Sequence, residues 1–306
     1  MPYIVSEKIK IGISACNFGC QVRYNQRGWY RAGLLGRDNE MFSWSPFCPE
    51  VMAGLGVPRA PIKLTGGNGD DFWAGQAKVK NRFGRDVGAD LMAAEKHILD
   101  MIRKNGLEAY VFMEGSPTCG VYRTTLKDKR LGKPPGTFGS LLLHEGLFLI
   151  PAADLESPLK WWDWRRRLLA FIWLKHEPLT AKSQLTAIWH DLKFICQEIS
   201  RLTADKIGRE LAGQPRIFSP AWSEVWRQRV LNLFRQPSSL NRILNSLGKH
   251  HAYYCHQAEN YACRRLALNT ETSKYKIIEA IKDIESYARG REIIFAGAPV
   301  VFRTKR

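Results

Sequence analysis

Short apolar runs alternate with helix-period stretches over the first half of the chain. Residues 10–14, 41–44, 109–113 and 147–150 have the composition of buried strands. Residues 86–104 repeat their apolar positions at the spacing of an α-helix. This alternation predicts an α/β domain with a Rossmann-like open sheet of doubly wound topology.

Three shorter features complete that prediction. Pro49 favours the first position of a short helix over 49–55, and residues 138–143 are also predicted to be helical. The segment Gly-Gly-Asn-Gly-Asp-Asp at 66–71 is predicted to be a loop, because glycine, asparagine and aspartate favour turns.

The pattern changes after residue 156, where long amphipathic periods replace the strands. We therefore predict two domains, an α/β domain over 1–156 and an all-α domain over 157–306. The apolar run at 293–302 is predicted to be a strand that returns to the edge of the first domain. The predicted helices are 161–176, 179–202, 220–236, 240–267 and 271–289.

Composition agrees with a globular protein, at 45% hydrophobic and 25% charged residues. No uncharged apolar run approaches the roughly 18 residues of a membrane span, and the first residues lack an apolar signal core. We expect a cytoplasmic protein with no membrane partner. Seven cysteines without a signal also argue against a disulfide framework.

The net charge of +17 is unevenly distributed. Residues 1–156 contain 20 basic and 16 acidic side chains, whereas 157–306 contain 26 and 13. Such a bias favours a polyanion, above all nucleic acid, although a merely soluble basic surface would also produce it. Tryptophans interleave with the arginines and are expected in the core. The arginines predicted to contact RNA are Arg165, Arg166, Arg167, Arg227 and Arg229.

Three cysteines each follow a predicted strand and adjoin glycine or proline. They are Cys16, Cys48 and Cys119. Segments after strand C-termini converge on one crevice in an open α/β sheet. Three thiols there could hold an iron–sulfur cluster and leave one iron without a protein ligand. Their spacing matches no zinc or ferredoxin motif, so buried structural thiols are the alternative.

The other four cysteines are weaker candidates for metal ligands. A non-ligating thiol is favoured for Cys20, although Cys20 could instead fill the fourth iron site. Cys196, Cys255 and Cys263 lie in predicted helices, and core thiols are favoured there over a zinc site formed with the nearby histidines at 250, 251 and 256.

Acid–base candidates stand beside the thiols. Glu50 follows Cys48 by two residues and could activate water, or could merely favour a helix N-terminus. Ser116 and Thr118 precede Cys119 and could bind a substrate oxygen or only form a turn. Arg23 and Arg59 lie close in sequence to these loops, and either could hold a phosphate or a base edge.

Six motifs in order resemble the thiouracil desulfidase (TudS-like) family over about the first 150 residues. Thr118 stands where that family usually has serine. The motifs are Ile-Ser-Ala-Cys at 13–16, Val-Arg-Tyr-Asn at 22–25, Cys-Pro-Glu-Val at 48–51, Gly-Leu at 54–55, Pro-Arg-Ala-Pro at 58–61 and Gly-Ser-Pro-Thr-Cys-Gly at 115–120.

The resemblance implies a 4Fe–4S cluster on Cys16, Cys48 and Cys119 with one iron open. It implies catalytic roles for Glu50 and for Ser116. The implied reaction converts a thiocarbonyl to a carbonyl and releases hydrogen sulfide. No net electron transfer is needed, so the cluster would act as a Lewis acid.

The basic helical extension resembles that of tRNA 4-thiouridine desulfidases. We therefore expect an enzyme that removes sulfur from 4-thiouridine in tRNA. One alternative is desulfuration of free thiouracil or thionucleotides. The other is a non-catalytic nucleic-acid-binding module with a structural or sensing cluster.

Overall fold

The computed structural model describes residues 2–124, 134–214, 219–257, 274–290 and 294–304. The chain divides into two compact units. One is Lys8–Ser157, and the other combines Met1–Glu7 with Pro158–Arg306. The first seven residues, which the sequence analysis assigned to the α/β domain, therefore belong to the helical unit.

The first unit is built on a parallel sheet of four strands in the order β3-β2-β6-β7. Its central strands β2 and β6 consist almost wholly of buried residues, because layers cover a parallel sheet on both faces. The predicted α/β fold is confirmed. The strands are β2 (Ile9–Ser14), β3 (Phe42–Phe47), β6 (Ala109–Phe112) and β7 (Phe148–Pro151).

The predicted helices of this unit are present with shifted ends. They are α1 (Pro49–Met52), α3 (Gly88–Lys104) and α4 (Thr137–His144). The loop predicted over 66–71 is wrong in part, because helix α2 (Gly69–Trp73) begins inside it. Asn68 caps that helix by accepting from Asp71 N–H, and the Asp71 carboxylate accepts from Asn68 N–H in return.

Two further strands form an antiparallel ribbon that the sequence analysis did not predict. Strand β4 (Ile62–Thr65) pairs with β5 (Lys78–Asn81), with Lys63 opposite Lys80 and Thr65 opposite Lys78. Each strand has only four residues, Ile-Lys-Leu-Thr in β4 and Lys-Val-Lys-Asn in β5. That length is too short for an unambiguous strand pattern.

The second unit is mainly helical, as predicted, and α6 bends at Ser200, where the backbone is extended. The predicted C-terminal strand exists, but its predicted partner is wrong. Strand β8 (Val300–Phe302) pairs in parallel with β1 (Tyr3–Val5) within this unit. The helices are α5 (Pro158–His176), α6 (Lys182–Gly213), α7 (Pro220–Phe234), α8 (Leu240–Gln257) and α9 (Lys274–Gly290).

Side-chain contacts explain why the first residues belong to the helical unit. The ring of Tyr3 stacks on Trp173 with centroids 4.0 Å apart, and its hydroxyl donates to Asp191 at 2.6 Å. Strand β1 therefore has both its backbone hydrogen-bonding partner and its side-chain contacts in the helical unit. In the described part of the chain, every helix is too short or too polar to cross a membrane.

Candidate active site

A cavity of about 460 Å³ opens in the α/β unit, where the segments that follow β2, β3 and β6 meet. This is the carboxyl edge of the sheet, the usual binding edge of an open α/β fold. Cys16, Cys48 and Cys119 all line it, together with Glu50 and Ser116. The structure thus brings together residues that lie up to 103 positions apart in the sequence.

Cys16 lies in a tight turn directly after β2. Its carbonyl accepts from Trp29 N–H at 2.7 Å, which fixes the following loop. Gly28 is required beside it, because a Cβ at that position would lie 2.3 Å from the Cys20 carbonyl oxygen. These backbone contacts therefore fix the turn, and the Cys16 side chain lines the cavity.

Cys48 is the residue that precedes the first turn of α1. Backbone N–H groups of Glu50 and Val51 point toward its sulfur. Such N–H groups stabilise negative charge at a helix start, as a thiolate ligand requires. The sequence Cys-Pro-Glu therefore positions both the thiol and the Glu50 carboxylate at one helix end.

Cys119 lies in the loop after β6, which is tightly folded. The backbone N–H groups of Thr118 and Cys119 both donate to Ser116 Oγ, at 3.3 and 3.2 Å. Gly120 permits the tight fold, since an added Cβ would approach the Arg123 carbonyl oxygen to 2.1 Å. Ser116 therefore shapes the loop that presents Cys119, in addition to lining the cavity.

Burial is the main influence on all three thiols. It raises the pKa of Cys16 to about 12 and also raises the pKa of Cys48. It raises the pKa of Cys119 most clearly, and the proximity of Cys48 and Cys16 adds to that effect. Two buried thiols and one half-buried thiol that repel one another as thiolates suit a shared cation, because iron would neutralise the charge that burial disfavours.

The donor set fits an iron–sulfur cluster. Three free cysteines surround one cavity, and thiolates are the ligands that such clusters require. Among the described residues, no three His, Cys, Asp or Glu side chains are grouped closely enough to hold a single metal ion. A cubane cluster is wider than one ion, so its ligands stand farther apart.

Glu50 is held from two sides. Arg59 donates from Nε at 2.8 Å and from a terminal nitrogen at 2.7 Å to one carboxylate oxygen, and Thr118 Oγ1 donates to the other at 3.0 Å. Both members of the ion pair are largely buried. The carboxylate therefore has one fixed orientation at the cavity wall.

Ser116 extends this arrangement into a chain of hydrogen bonds. Its Oγ lies 2.9 Å from Thr118 Oγ1. Since the Thr118 hydroxyl proton goes to Glu50, Ser116 is the donor of that pair. The order is backbone N–H to Ser116, Ser116 to Thr118, and Thr118 to Glu50. The loop of Cys119 and the candidate base are thus coupled.

Arg59 does not have a guanidinium free for a phosphate. Besides Glu50, it donates to the carbonyls of Val22 and Gly56 at 2.8 and 3.0 Å. Arg23 is different, because it also lines the cavity and lies over the Trp29 ring at 5.0 Å. Arg23 is the better placed of the two to meet a substrate.

Sequence reasoning missed Glu95, a fully buried carboxyl on α3. It accepts from Thr137 Oγ1 at 2.5 Å, and its other oxygen has no partner in the described chain. Burial raises the pKa of Glu95 well above 4.5, and the Glu50 charge raises it further. A glutamate on the apolar stripe between Leu91 and Ile98 was the available signal.

Cys20 is partly buried and is not among the residues that line the cavity, and its role as a non-ligand stays a prediction. Cys196 is fully buried in α6, as predicted for a core thiol. The predictions for Cys255 and Cys263, with the histidines at 250, 251 and 256, lie outside the described side chains.

The prediction that Arg166 and Arg167 contact RNA is wrong, because both side chains are buried. Arg166 donates to Asp163 at 2.6 Å and to the Gly297 carbonyl, and it forms an ion pair with Glu198. Arg167 donates to the other Asp163 oxygen at 2.6 Å. These charges are thus compensated inside the helical unit, and the neighbouring Trp162 and Trp164 are buried there as well, as expected.

The other three arginines that were predicted to contact RNA form ion pairs or hydrogen bonds within the protein. Arg165 forms an ion pair with Glu285 at 2.9 Å, and Arg229 forms one with Glu210. Arg227 donates to the Lys175 and Glu177 carbonyls. Their assignment to RNA stays a prediction, and their observed partners are all within the protein.

Comparison with known proteins bears on the α/β unit. The model of the family described as 2-thiouracil desulfurase matches residues 11–154. This segment belongs to the 2-thiouracil desulfurase family. The match contains Cys16, Cys48, Glu50, Ser116 and Cys119, and it ends before the helical unit begins.

Two relatives resemble the same half of the chain. The uncharacterized protein YbbK of Bacillus subtilis is 28% identical over 155 residues, which are 48% of this chain and 98% of YbbK. A solved structure described as the [4Fe-4S]-dependent thiouracil desulfidase TudS is 26% identical. It matches 49% of this chain and 94% of its own, with a TM-score of 0.38.

Proposed function

We propose that the protein is a 4Fe–4S-dependent desulfidase that removes sulfur from 4-thiouridine in tRNA. The observation that carries the proposal is one cavity lined by three free cysteines and an oriented carboxylate. The family of residues 11–154 supports the reaction class. The reaction consumes water, replaces C=S by C=O and releases hydrogen sulfide, so no electron donor is required.

Cys16, Cys48 and Cys119 would hold the cluster. When bound, it would supply an iron without a protein ligand, a Lewis acid with affinity for a thiocarbonyl sulfur. The cluster's fit rests on the thiol donors and on the Glu50 and Val51 N–H groups directed at Cys48.

Glu50 would be the general base. Its carboxylate lies at the cavity wall, and Arg59 and Thr118 fix both oxygens. A water molecule hydrogen-bonded to Glu50 would lose a proton to it during attack on the ring carbon. General-base catalysis of this kind contributes about 10²- to 10⁴-fold to a rate.

The choice of tRNA as substrate rests on charge. A polynucleotide needs cationic surface beyond the pocket, whereas a free base does not. The net charge of +17 supports a polyanionic substrate. Arg166 and Arg167 are buried and do not contribute to such a surface, whereas Lys63, Lys78 and Lys80 of the α/β unit are exposed.

The test is direct. The protein would be purified without oxygen, reconstituted with iron and sulfide, and mixed with tRNA that contains 4-thiouridine. We expect loss of the near-ultraviolet absorbance of 4-thiouridine together with stoichiometric release of sulfide. Cys16→Ser, Cys48→Ser and Cys119→Ser should each lose cluster and turnover, whereas Glu50→Gln should retain the cluster and lose turnover.

Free thiouracil or a thionucleotide is the second candidate substrate. The name of the matched family favours it. Sulfide release from free 4-thiouracil but not from tRNA would select it. A full cluster without turnover on either substrate would instead favour a binding module with a structural or sensing cluster.

A further inference from the structure

We infer that the β4–β5 ribbon of the α/β unit is a phosphate-binding surface, which contacts the RNA backbone beside the thiolated base. This inference deepens the proposed function and rests on it for the identity of the RNA. The ribbon joins the cavity directly, because Ile62, Lys63 and Leu64 line its wall.

The two faces of the ribbon differ in character. Side chains alternate across a strand, and opposed residues of antiparallel strands share a face. Lys63 is opposite Lys80, and Thr65 is opposite Lys78, so these side chains occupy one exposed face. The other face carries Ile62 and Val79, which are buried in the core.

The lysines of this face are not neutralised by the protein. Like charges directly opposite one another destabilise a β-pair, as Lys63 and Lys80 do here. In the described part of the chain, Lys63, Lys78 and Lys80 form no ion pair with a carboxylate. Asp86 is opposite Lys80 in an isolated β-bridge, and its carboxylate accepts from Gly88 N–H at 2.9 Å. An external anion would relieve this repulsion.

The tip of the ribbon adds an aromatic surface. Phe83 is 72% exposed, and the Arg82 guanidinium lies 4.6 Å from its ring centroid. Asn81 fixes the tip, because its side-chain oxygen accepts from the N–H groups of Phe83 and Arg85. Exposed aromatic rings among cations are the surface on which unpaired RNA bases stack.

These features favour unpaired RNA over a small anion. A single phosphate would need one converging site, whereas the exposed lysines follow the ribbon from the cavity wall at Lys63 to Lys78. A nucleotide in the cavity would place its neighbouring phosphates along this row. Each lysine contact should release a counterion and contribute to the salt dependence of binding.

The test uses the reconstituted full-length protein and a tRNA transcript without thiouridine, so it does not depend on turnover. Binding would be measured by fluorescence anisotropy over a salt series for the wild type and for the Lys78→Glu/Lys80→Glu double variant. We expect an affinity loss of at least about tenfold at about 100 mM salt. The slope of log affinity against log salt should become shallower by about two.

A matched control has the same change of charge on the opposite edge of the sheet. Lys10→Glu/Lys104→Glu replaces two exposed lysines near the amino end of β2 and the carboxyl end of α3. It should bind RNA within about twofold of the wild type. The milder Lys78→Gln/Lys80→Gln variant removes the same two cations without adding acidic groups. It should therefore also make the slope shallower by about two, with a smaller loss of affinity, which guards against an effect of misfolding.

Equal RNA affinity of the wild type and the ribbon variant would overturn the inference, even if tRNA is desulfurated. Equal losses in the ribbon and control variants would also overturn it. Conversely, a ribbon-dependent affinity for RNA without any desulfuration of thiolated tRNA would support the ribbon and refute the proposed substrate. The two failures are therefore distinguishable.

Discussion

The two units use their positive charge in opposite ways. Residues 157–306 contain twice as many basic as acidic side chains, yet Arg166 and Arg167 are buried around Asp163. The α/β unit is nearly balanced in charge, yet it exposes three lysines on one ribbon beside its cavity. Net charge of a segment is therefore a poor guide to which surface meets a polyanion.

Desolvation explains the difference. A guanidinium can be buried where carboxylates and carbonyls accept from its N–H groups, as Asp163, Glu198 and the Gly297 carbonyl do for Arg166. A lysine on the exposed ribbon has no such partner, and its strongly hydrated ammonium stays available for an anion. The predictions that follow test this contrast between buried and exposed charge.

The largest expected effect is a loss of stability on substitution of Asp163. Asp163→Asn would leave the buried cations Arg166 and Arg167 undercompensated, which should destabilise the helical unit by about 3–5 kcal/mol. Chemical denaturation followed by tryptophan fluorescence would measure it. Asp205→Asn, which changes an exposed ion pair on α6, is the matched control and should cost less than about 1 kcal/mol. Similar losses in both variants would contradict a special role for the buried network.

The next effect is on catalysis. Arg59→Gln removes the cation that orients Glu50, so we expect kcat to fall by about 10- to 100-fold with the cluster retained. Arg59→Lys keeps a charge without the two-donor geometry and should recover part of the loss. A loss confined to KM, or no recovery with lysine, would contradict a positioning role for Arg59. Sulfide release from free 4-thiouracil is the measurement.

Much of the fold was readable from the sequence because its strands and long helices have strong periods. The exceptions are short elements. Strands β4 and β5 have four residues each, and the capped turn at Asn68 starts a helix within a glycine-rich segment. Tertiary packing decides such elements more than local preference does.

The site was partly readable for a related reason. Cysteines after strands predicted one crevice, and the cavity confirms that they meet. The hydrogen-bonding partners of the site could not be predicted from the sequence. Their roles depend on contacts between residues 9 to 68 positions apart, as for Arg59, Glu95 and Thr118. Arg166 and Arg167 share Asp163 on their own helix. The sequence could not show that they are buried, because their further partners, Glu198 and the Gly297 and Phe234 carbonyls, lie on distant parts of the chain.

A smaller effect concerns Glu95 and pH. Burial raises its pKa above the unfolded value near 4.5, so the native state retains a proton that the unfolded chain releases. Stability should therefore fall as pH rises above about 4.5, by up to ~1.4 kcal/mol per pH unit from this group. Glu95→Gln should remove that dependence. Unfolding free energies measured at several pH values would test it, and parallel curves for the two proteins would contradict it.

The smallest effect is expected at Arg229. Its ion pair with Glu210 is largely exposed, so Arg229→Ala should change the free energy of unfolding by less than about 1 kcal/mol. RNA affinity should change less than in the ribbon variant, as anisotropy would show. A larger loss of RNA affinity than at Lys78 and Lys80 would move the RNA contact back to the helical unit.

The central claim is that one unit carries both the desulfurating cavity and a cationic approach to it. It is tested most directly by following sulfide release from thiolated tRNA and from free 4-thiouracil over a salt series, with one reconstituted sample. The account predicts that kcat/KM for tRNA falls steeply with salt, while the value for the free base changes little. Absence of sulfide release from tRNA at every salt concentration, or a release that salt does not affect, would contradict it.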